Sequence, residues 1–228
     1  VRDDSGRTVV LKHPARRVVT LSPHATELVF AAGGGKQIVA TVTPSDYPPE
    51  ARQLPRIGDG VVPNPERVAA YAPDLIVGWL PSQYEALKIL NIPFFISAPT
   101  TLAGVGDNIE RLGVLMGSTE IARPKGTALS RELETLLRPA PSTPVSVFIQ
   151  VGYPPQYSLN RNNLLSEVLT LCGGRNVFAA ATATAPLISP ESVLAQHPEG
   201  HERGTGDEQD SLDDLHPGGA LHPAHKDV

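Results

Sequence analysis

Five residues suited to ligand binding lie just beyond segments that are typical of buried parallel strands. They are Ser22, Pro23, His24, Tyr47 and Trp79. In open parallel sheets, ligands gather in the crevice beyond the carboxyl ends of the strands. The spacing therefore predicts a binding site at one edge of a sheet.

The aromatic candidates differ in how strongly their surroundings favour exposure. Trp79 ends an apolar run and could be a core residue, but a tryptophan is costly to bury without a partner for its N–H, which favours the crevice. Tyr47 and Tyr157 each lie in a proline-rich loop. For these two residues, a solvated loop tyrosine is an equal alternative.

His24 allows two interpretations. A neutral imidazole binds cobalt or iron well, so His24 could be an axial ligand to such a metal. The alternative is a polar residue at the start of a helix, and it is favoured because a single histidine makes no ligand set. Cys172 is the only cysteine, which excludes an internal disulfide and a cysteine-based zinc site, and its apolar neighbours predict a buried thiol. We therefore predict no metal site and no cofactor.

Sequence signatures of enzymes are lacking. No glycine-rich phosphate loop joins a strand to a helix, and residues 33–35 (GGG) follow a predicted helix, where glycine serves as a C-cap. There is no serine elbow, no pair of catalytic carboxylates and no His-Glu motif. A binding protein is favoured, and an α/β enzyme of unknown chemistry is the alternative from a different class. Turnover of a ligand would distinguish the enzyme from a binding protein.

One helix signature occurs twice, at residues 64–74 (NPERVAAYAPD) and 125 positions later at residues 189–199 (SPESVLAQHPE). In each copy an Asn or Ser can cap the helix, a proline suits the first turn, and a glutamate meets the positive end of the helix dipole. A second repeat relates residues 18–34 to residues 145–174. Each segment has the pattern of an apolar strand, a helix and a double glycine. Two copies of one unit predict two similar lobes with a cleft between them.

Strands alternate with helices along the chain, which predicts an α/β fold with mostly parallel sheets covered on both faces. Residues 1–101 are predicted to form an N-terminal lobe and residues 139–198 a C-terminal lobe. Residues 102–138 are mainly helical, broken near Gly117 and more weakly near Pro124, and are predicted to join the lobes as a long helix. The apolar pattern is lost in residues 199–228, which predicts an incomplete second lobe and a disordered acidic tail.

The formal charge of −5 is unevenly distributed over the 228 residues. Residues 199–228 hold eight acidic and two basic residues, a net of −6, which leaves a net of +1 for the other residues. This balanced part has no basic stripe with interleaved aromatic residues, which argues against a nucleic-acid partner. No apolar stretch is long enough to span a bilayer, and valine as the first residue predicts that a signal peptide has been removed.

Four segments carry a resemblance to a known family: residues 20–28 (TLSPHATEL), residues 45–49 (SDYPP), residues 73–79 (PDLIVGW) and residues 172–178 (CGGRNVF). They resemble the periplasmic cobalamin-binding proteins of ABC importers, within the helical-backbone class of substrate-binding proteins. The resemblance runs from about Arg17 to Pro198. It implies two Rossmann-like lobes joined by a long helix and a periplasmic protein that clamps a corrinoid and delivers it to an importer. Haem or a ferric siderophore is the alternative ligand.

The resemblance also assigns roles to single residues. Tyr47, Trp79 and Tyr157 fall where family members contact the corrinoid with aromatic side chains. Two further cleft positions, which are tryptophan in well-known members, correspond to Gly60 and Ala185. Family members continue beyond residue 198 with strands and helices that complete the second lobe, which predicts that this chain is a truncated or frame-altered form.

Glu66 and Glu191 fall where family members form salt bridges with arginines of the permease subunits. The alternative is simple complementation of the helix dipole, which needs no partner. The expected partners are therefore a corrinoid and the permease of a membrane complex that the protein contacts peripherally. The binding protein itself is expected to be a monomer.

Overall fold

The first half of the chain folds around a four-stranded parallel sheet. The computed structural model describes residues 1–136, 142–152 and 154–203, the last three by their backbone alone. The strands are β1 (Val18–Thr20), β2 (Ile38–Ala40), β3 (Leu75–Gly78) and β4 (Phe94–Ile96), in the order β2-β1-β3-β4. β1, β3 and β4 are buried along their whole length, as expected of a parallel sheet with both faces covered.

Three short helices connect these strands: α1 (Pro23–Ala31), α2 (Pro65–Ala69) and α3 (Pro81–Leu87). They pack with the sheet into two hydrophobic clusters. Val18 belongs to one cluster and Val19 to the other, because successive strand residues point to opposite faces. The sheet is thus fixed from both sides, and its carboxyl edge is positioned by the core.

The helical segment that follows consists of two helices rather than one long helix. α4 (Leu102–Met116) and α5 (Thr119–Leu136) pack against each other. The chain turns at Gly117, as predicted, with a left-handed backbone (φ 70°), and Gly113 lets the helices approach because a Cβ there would overlap that of Ala122. The weaker break predicted at Pro124 is absent, since α5 continues through it. Within the described residues no helix is long and apolar enough to cross a membrane.

The second half of the chain forms a three-stranded parallel sheet. Its strands are β5 (Val145–Gln150), β6 (Gly174–Asn176) and β7 (Gly200–Arg203), in the order β6-β5-β7, and α6 (Leu164–Leu171) and α7 (Pro190–Gln196) lie between them in sequence. The predicted α/β fold with two parallel sheets is confirmed. The predicted burial of Cys172 is wrong: its side chain is exposed next to α6, which also exposes Leu165 and Val168.

The two copies of the helix signature have the predicted caps. The Arg67 N–H donates to Asn64 Oδ1 at 3.0 Å in α2, and the Ser192 N–H donates to Ser189 Oγ at 3.2 Å in α7. After each helix, the residue before the proline has a left-handed backbone conformation. It is Ala72 (φ 42°) in the first copy and His197 (φ 45°) in the second. The repeat is therefore structural as well as sequential.

The repeat extends beyond the point where its sequence pattern is lost. β3 follows the first helix, and β7 follows the second at the same offset of 125 residues (75 to 200). The prediction that the disordered tail begins at residue 199 is therefore wrong, because β7 extends to Arg203. β7 (GHER) lacks the apolar character of β3 (LIVG), and it forms through parallel backbone pairing with β5. The rest of the predicted tail, residues 204–228, lies outside the described residues.

A carboxylate anchors each of these equivalent strands to its neighbour. Asp74 accepts hydrogen bonds from the backbone N–H groups of Arg16 and Arg17, just before β1. Glu199, at the same repeat position, accepts hydrogen bonds from the backbone N–H and the hydroxyl of Ser146 in β5. These hydrogen bonds from Ser146 lower the pKa of Glu199, because they stabilise the ionised carboxylate.

An N-terminal turn fastens the last strand of the first sheet. The buried carboxylate of Asp3 accepts hydrogen bonds from Ser5, from the backbone and guanidinium of Arg7, and from the Ile96 N–H in β4. Asp4 accepts from the Ala98 N–H at 2.7 Å and lies 2.9 Å from the Arg111 guanidinium of α4. Burial of Asp3 opposes ionisation, but the hydrogen bonds from Ser5, Arg7 and Ile96 outweigh it and lower its pKa.

Asp3→Asn should lower the free energy of unfolding at neutral pH by ~1 to ~3 kcal/mol, because the amide cannot accept from all of these donors. The depressed folded-state pKa means that the contribution is present above the unfolded value of about 3.9 and is lost as the pH falls through the folded value. Urea unfolding from pH 7 downward should show the two proteins converging in acid. The exposed Asp107→Asn is the matched control and should change little. Equal stability of Asp3→Asn and wild type at pH 7 would contradict this role.

Candidate functional site

The loops after β1, β2 and β3 form one edge of the first sheet, which we call the strand-end rim. It comprises residues 22–24, Tyr47, residues 60–62 and Trp79. Tyr47 is 63% exposed, Val62 is 83% exposed and Trp79 is 40% exposed. Apart from His24, these residues carry no acidic or basic side chain. These positions are thus mainly aromatic and apolar and open to solvent, and the exposed carboxylates of Asp46 and Asp59 flank them.

The segment after β1 places a histidine beside the tryptophan. Ser22 is buried and caps α1, since its hydroxyl accepts a hydrogen bond from the Ala25 N–H at 3.2 Å, and Pro23 begins the helix. The half-buried His24 ring lies 6.2 Å from the Trp79 ring, centroid to centroid, at an interplanar angle of 83°. His24 Nε2 lies 2.9 Å from the Ser97 carbonyl oxygen, beyond the end of β4.

Gln83 fixes the backbone of the strand-end rim, and sequence reasoning missed it. Its side chain is fully buried, and its Oε1 accepts hydrogen bonds from the Trp79 N–H at 2.9 Å and the Leu80 N–H at 3.1 Å. Its Nε2 donates to the Leu21 carbonyl at 3.2 Å and the Gly60 carbonyl at 2.7 Å. One amide therefore joins the loops after β1 and β3 to the loop at Gly60. A proline at the first helical position with glutamine two residues later was the available signal.

Gly60 is buried, and its left-handed backbone (φ 88°) has no space for a side chain. A Cβ at this position would lie 2.5 Å from the Leu21 carbonyl oxygen. Gly60 therefore contributes its carbonyl group to the Gln83 amide, while its contact with a ligand stays a prediction.

The two residues after Gly60, Val61 and Val62, are exposed. Sequence reasoning missed them, although two valines in a loop without strand pattern were a usable signal.

A cluster of buried hydroxyl groups supports the loop that carries Tyr47. Thr20, Thr26, Thr41 and Ser45 are fully buried. Their hydroxyl oxygens lie within 2.7 to 3.1 Å of one another along β1, α1 and the loop after β2. Because each buried hydroxyl has partners, the cluster holds the loop in place without leaving a polar group unpaired.

Tyr157 lies on the corresponding edge of the second sheet, after β5. Its backbone carbonyl accepts from the Val151 N–H at 2.9 Å, and a bridge to Leu187 continues the pairing. Tyr157 is half-buried, and Ala185, two residues before Leu187, is exposed. Within the described residues no hydrogen bond or ring contact joins Tyr157 to the strand-end rim. The structure thus brings together the candidates of the first lobe and places Tyr157 apart from them.

Two pockets lie elsewhere on the described part of the molecule. One of about 590 Å³ lies between Thr101, α6 and β6, and another of about 380 Å³ lies beside Arg7 and Tyr84. None of the predicted site residues lines either pocket. The strand-end rim is an open surface, and its chemistry rather than enclosure makes it the candidate site. The described residues hold no group of three His, Cys, Asp or Glu that could bind a metal ion.

The two predicted docking residues begin equivalent helices. Glu66 is in the first turn of α2 and Glu191 in the first turn of α7, and both side chains are exposed. Hydrogen bonds from its own backbone N–H and from the Ser189 hydroxyl lower the pKa of Glu191. Both glutamates are therefore available to a partner, although helix-dipole complementation alone accounts for their positions.

The model of a family described as periplasmic binding protein matches residues 18–200, from β1 to the start of β7. The chain belongs to this family. The vitamin B12-binding protein of Photorhabdus laumondii is 37% identical over 188 residues, which cover 80% of this chain and 68% of that protein. The vitamin B12-binding protein of Vibrio cholerae is 35% identical over 191 residues, which cover 82% of this chain and 69% of that protein.

Solved structures show the same architecture. The periplasmic vitamin B12 binding protein BtuF of Vibrio cholerae aligns with a TM-score of 0.75 and 34% identity, covering 84% of this chain and 77% of that one. The periplasmic heme-binding protein RhuT of Roseiflexus aligns with a TM-score of 0.67 and 25% identity, covering 83% and 76%. This chain is therefore similar to one protein that binds vitamin B12 and to one that binds heme.

Gln83→Leu should destabilise the protein by ~2 to ~5 kcal/mol, because it keeps the side-chain volume but leaves two buried N–H groups and two carbonyl groups without their partner. Urea unfolding measures the loss. Gln83→Glu should also destabilise the protein, since it retains the acceptor for Trp79 and Leu80 but sets a buried carboxyl oxygen against the Leu21 and Gly60 carbonyls. Gln53→Leu replaces an exposed glutamine and is the matched control. Wild-type stability of Gln83→Leu would show that the amide does not hold the strand-end rim.

Proposed function

We propose that this protein is an extracytoplasmic solute-binding protein that captures a corrinoid between its two lobes and delivers it to an ABC importer. The observation that carries the proposal is the strand-end rim, where Trp79 presents its ring to solvent from a backbone held by Gln83. The similarity to vitamin B12-binding proteins supports the same ligand class. Family membership supports a location in the periplasm. We propose that the protein is a monomer.

The chemistry of the strand-end rim suits a corrinoid. A corrin ring is large and apolar on its faces, and amide side chains surround it. Its face can pack on Trp79, Tyr47 and Val62, and the Trp79 indole N–H, which makes no hydrogen bond to the described residues, can donate to an amide carbonyl. No ionised partner is required for such a ligand.

Haem is the second candidate, supported by the similarity to the heme-binding protein RhuT. The propionate groups of haem are carboxylates, which favour Arg or Lys partners. The residues that define the strand-end rim include none, and the nearby Arg52 donates its Nε–H to the Asp46 carbonyl, whereas a corrinoid periphery of amides needs no such partner. A ferric siderophore has no specific support in the structure. Corrinoid binding therefore accounts best for the composition of this edge.

A binding role without catalysis agrees with membership of a family of periplasmic binding proteins. The strand-end rim combines aromatic rings, valines and one histidine, without a nucleophile paired to a base. We therefore regard the corrinoid as cargo that is released unchanged, and we assign no cofactor. An α/β enzyme would instead convert its ligand, so recovery of unaltered cobalamin after incubation separates the two.

Trp79→Ala should weaken binding of cyanocobalamin ~10-fold to ~100-fold, because packing against a large aromatic ring contributes a few kcal/mol. Equilibrium dialysis measures the dissociation constant. Trp79→Phe keeps a ring and should lose less. Ile89→Ala removes an 80% exposed side chain away from the strand-end rim and is the control. A folded Trp79→Ala protein with the wild-type dissociation constant would remove Trp79 from the ligand site.

Docking on the importer is proposed to use Glu66 and Glu191, one from each lobe. Replacing both by Arg should abolish importer binding and transport through like-charge repulsion, while cyanocobalamin affinity stays near that of wild type. Pull-down on importer-containing proteoliposomes measures docking directly.

The control for this docking test is Glu132→Arg with Glu134→Arg, which reverses two exposed charges on α5. It should leave docking intact. If the two glutamates only complement helix dipoles, Glu66→Arg with Glu191→Arg should lower stability slightly and leave importer binding unchanged. That result would exclude the docking role.

A further inference from the structure

We infer that Glu167 is a positioning residue that sets how the first sheet is placed relative to the second. Its carboxylate accepts a hydrogen bond from the Leu102 N–H at 2.6 Å, and this bond connects α6 to the start of α4. The inference rests on the proposed function, in which a ligand contacts both halves of the molecule. It adds to that function a residue that affects the ligand only through the placement of the two strand-end edges.

The bond joins two helices that are each fixed to a different sheet. α4 packs on α1, and its Leu112 and Leu115 belong to the same hydrophobic cluster as Val18 of β1. α6 packs on β6 of the second sheet. Because neither helix can shift without its own sheet, a bond between α4 and α6 ties the placement of one sheet to that of the other.

Glu167 is the side chain that crosses between the two halves of the chain. No other side chain in the part of the chain that the structure describes makes a hydrogen bond or an ion pair across this junction. The pocket of about 590 Å³ borders the bond, since Thr101 and Glu167 both line it, so side chains do not fill the junction there. The placement of the two sheets therefore depends on this bond in addition to the covalent chain.

The start of α4 needs an acceptor from another element. The first N–H groups of a helix have no partner within the helix. Thr101 Oγ1 accepts from the Gly104 N–H at 3.0 Å, and the first turn of α4 has no acidic residue. The Leu102 N–H lies at the positive end of the helix dipole, where a carboxylate is stabilised. Glu167 supplies both the acceptor and the negative charge from the second half of the chain.

Two simpler roles do not account for this contact. Glu167 is in the first turn of α6 and could complement the dipole of its own helix, but Asn163 already caps α6 and the carboxylate reaches Leu102 instead. Arg161 and Arg175 line the same pocket, yet neither forms an ion pair with Glu167 among the described side chains. The contact with α4 is thus specific to the junction.

The placement of the two sheets matters for a ligand that contacts Trp79 at one edge and Tyr157 at the other. With the bond in place, both edges are held before the ligand arrives. Without it, only a fraction of the molecules has the edges in the binding arrangement, and the apparent dissociation constant rises in inverse proportion to that fraction. Glu167 therefore increases ligand affinity without touching the ligand.

The bond can be removed from either side. Glu167→Ala deletes the acceptor, and Leu102→Pro deletes the donor. Proline suits the first helical position, and the extended backbone of Thr101 (φ −133°, ψ 155°) permits a proline after it. Double electron–electron resonance between spin labels at the exposed Cys172 and at Ile89→Cys measures the distance between the two halves without a ligand.

The protein with an intact bond should give one narrow distance distribution, and Glu167→Ala and Leu102→Pro should each broaden it. Combining the two substitutions should broaden it no further, because both delete the same bond. Each single variant should also weaken cyanocobalamin binding roughly 3-fold to 10-fold, since a smaller fraction of molecules is ready to bind.

Two further variants separate the bond from other effects. Glu167→Gln keeps an acceptor oxygen and should stay nearer to wild type than Glu167→Ala does in both measurements. Glu120→Ala removes an exposed carboxylate from the first turn of α5 and is the matched control for loss of a dipole-complementing charge. It should change neither the distance distribution nor the dissociation constant.

Unchanged distance distributions for Glu167→Ala and Leu102→Pro would overturn the inference and leave the proposed function intact. Broader distributions together with the wild-type dissociation constant would overturn the role of Glu167 in binding. Equal broadening by Glu120→Ala would also overturn it, by assigning the effect to helix dipoles. Absence of cyanocobalamin binding by the wild-type protein would remove the proposed function and the positioning role with it.

Discussion

The buried Gln83 amide is the constraint on which the candidate site depends. Its oxygen and nitrogen satisfy four backbone groups from loops that are otherwise independent, at Leu21, Gly60, Trp79 and Leu80. A side chain with this many buried partners is costly to remove and difficult to replace. The consequence for binding is preorganisation. Trp79 is held before a ligand arrives, so less ordering entropy opposes association.

The internal repeat gives the second sheet an edge equivalent to that of the first sheet. Asp74 and Glu199 occupy equivalent positions and fasten β3 and β7 to the first strand of their own sheets. Parallel strands in both sheets therefore place their carboxyl ends and the following loops at one edge, where open parallel sheets generally bind ligands. Trp79 follows one such edge and Tyr157 the other. Each of the two sheets thus carries one aromatic candidate beyond a strand end, and the cleft between them is part of the proposed function.

Local patterns predicted much of this fold, and long-range contacts account for what they missed. The caps at Asn64 and Ser189 involve neighbours in sequence, so residue type and spacing suffice to predict them. Gln83 bonds to Leu21, 62 positions away, and no local pattern contains that partner. β7 escaped prediction because its pairing uses backbone groups that every residue carries. The placement of Trp79 was predictable, whereas the bond between His24 and Ser97 required the sheet to bring β1 and β4 together.

The most direct test of the central claim, that the strand-end rim is the ligand surface, is a titration of wild-type protein with cyanocobalamin followed by tryptophan fluorescence. Trp79 is the only tryptophan, so all of the tryptophan emission comes from this edge. We predict saturable quenching at one corrinoid per protein, because the corrin absorbs where indole emits and lies against the ring. Saturable binding by dialysis with unchanged Trp79 emission would contradict it and place the ligand elsewhere.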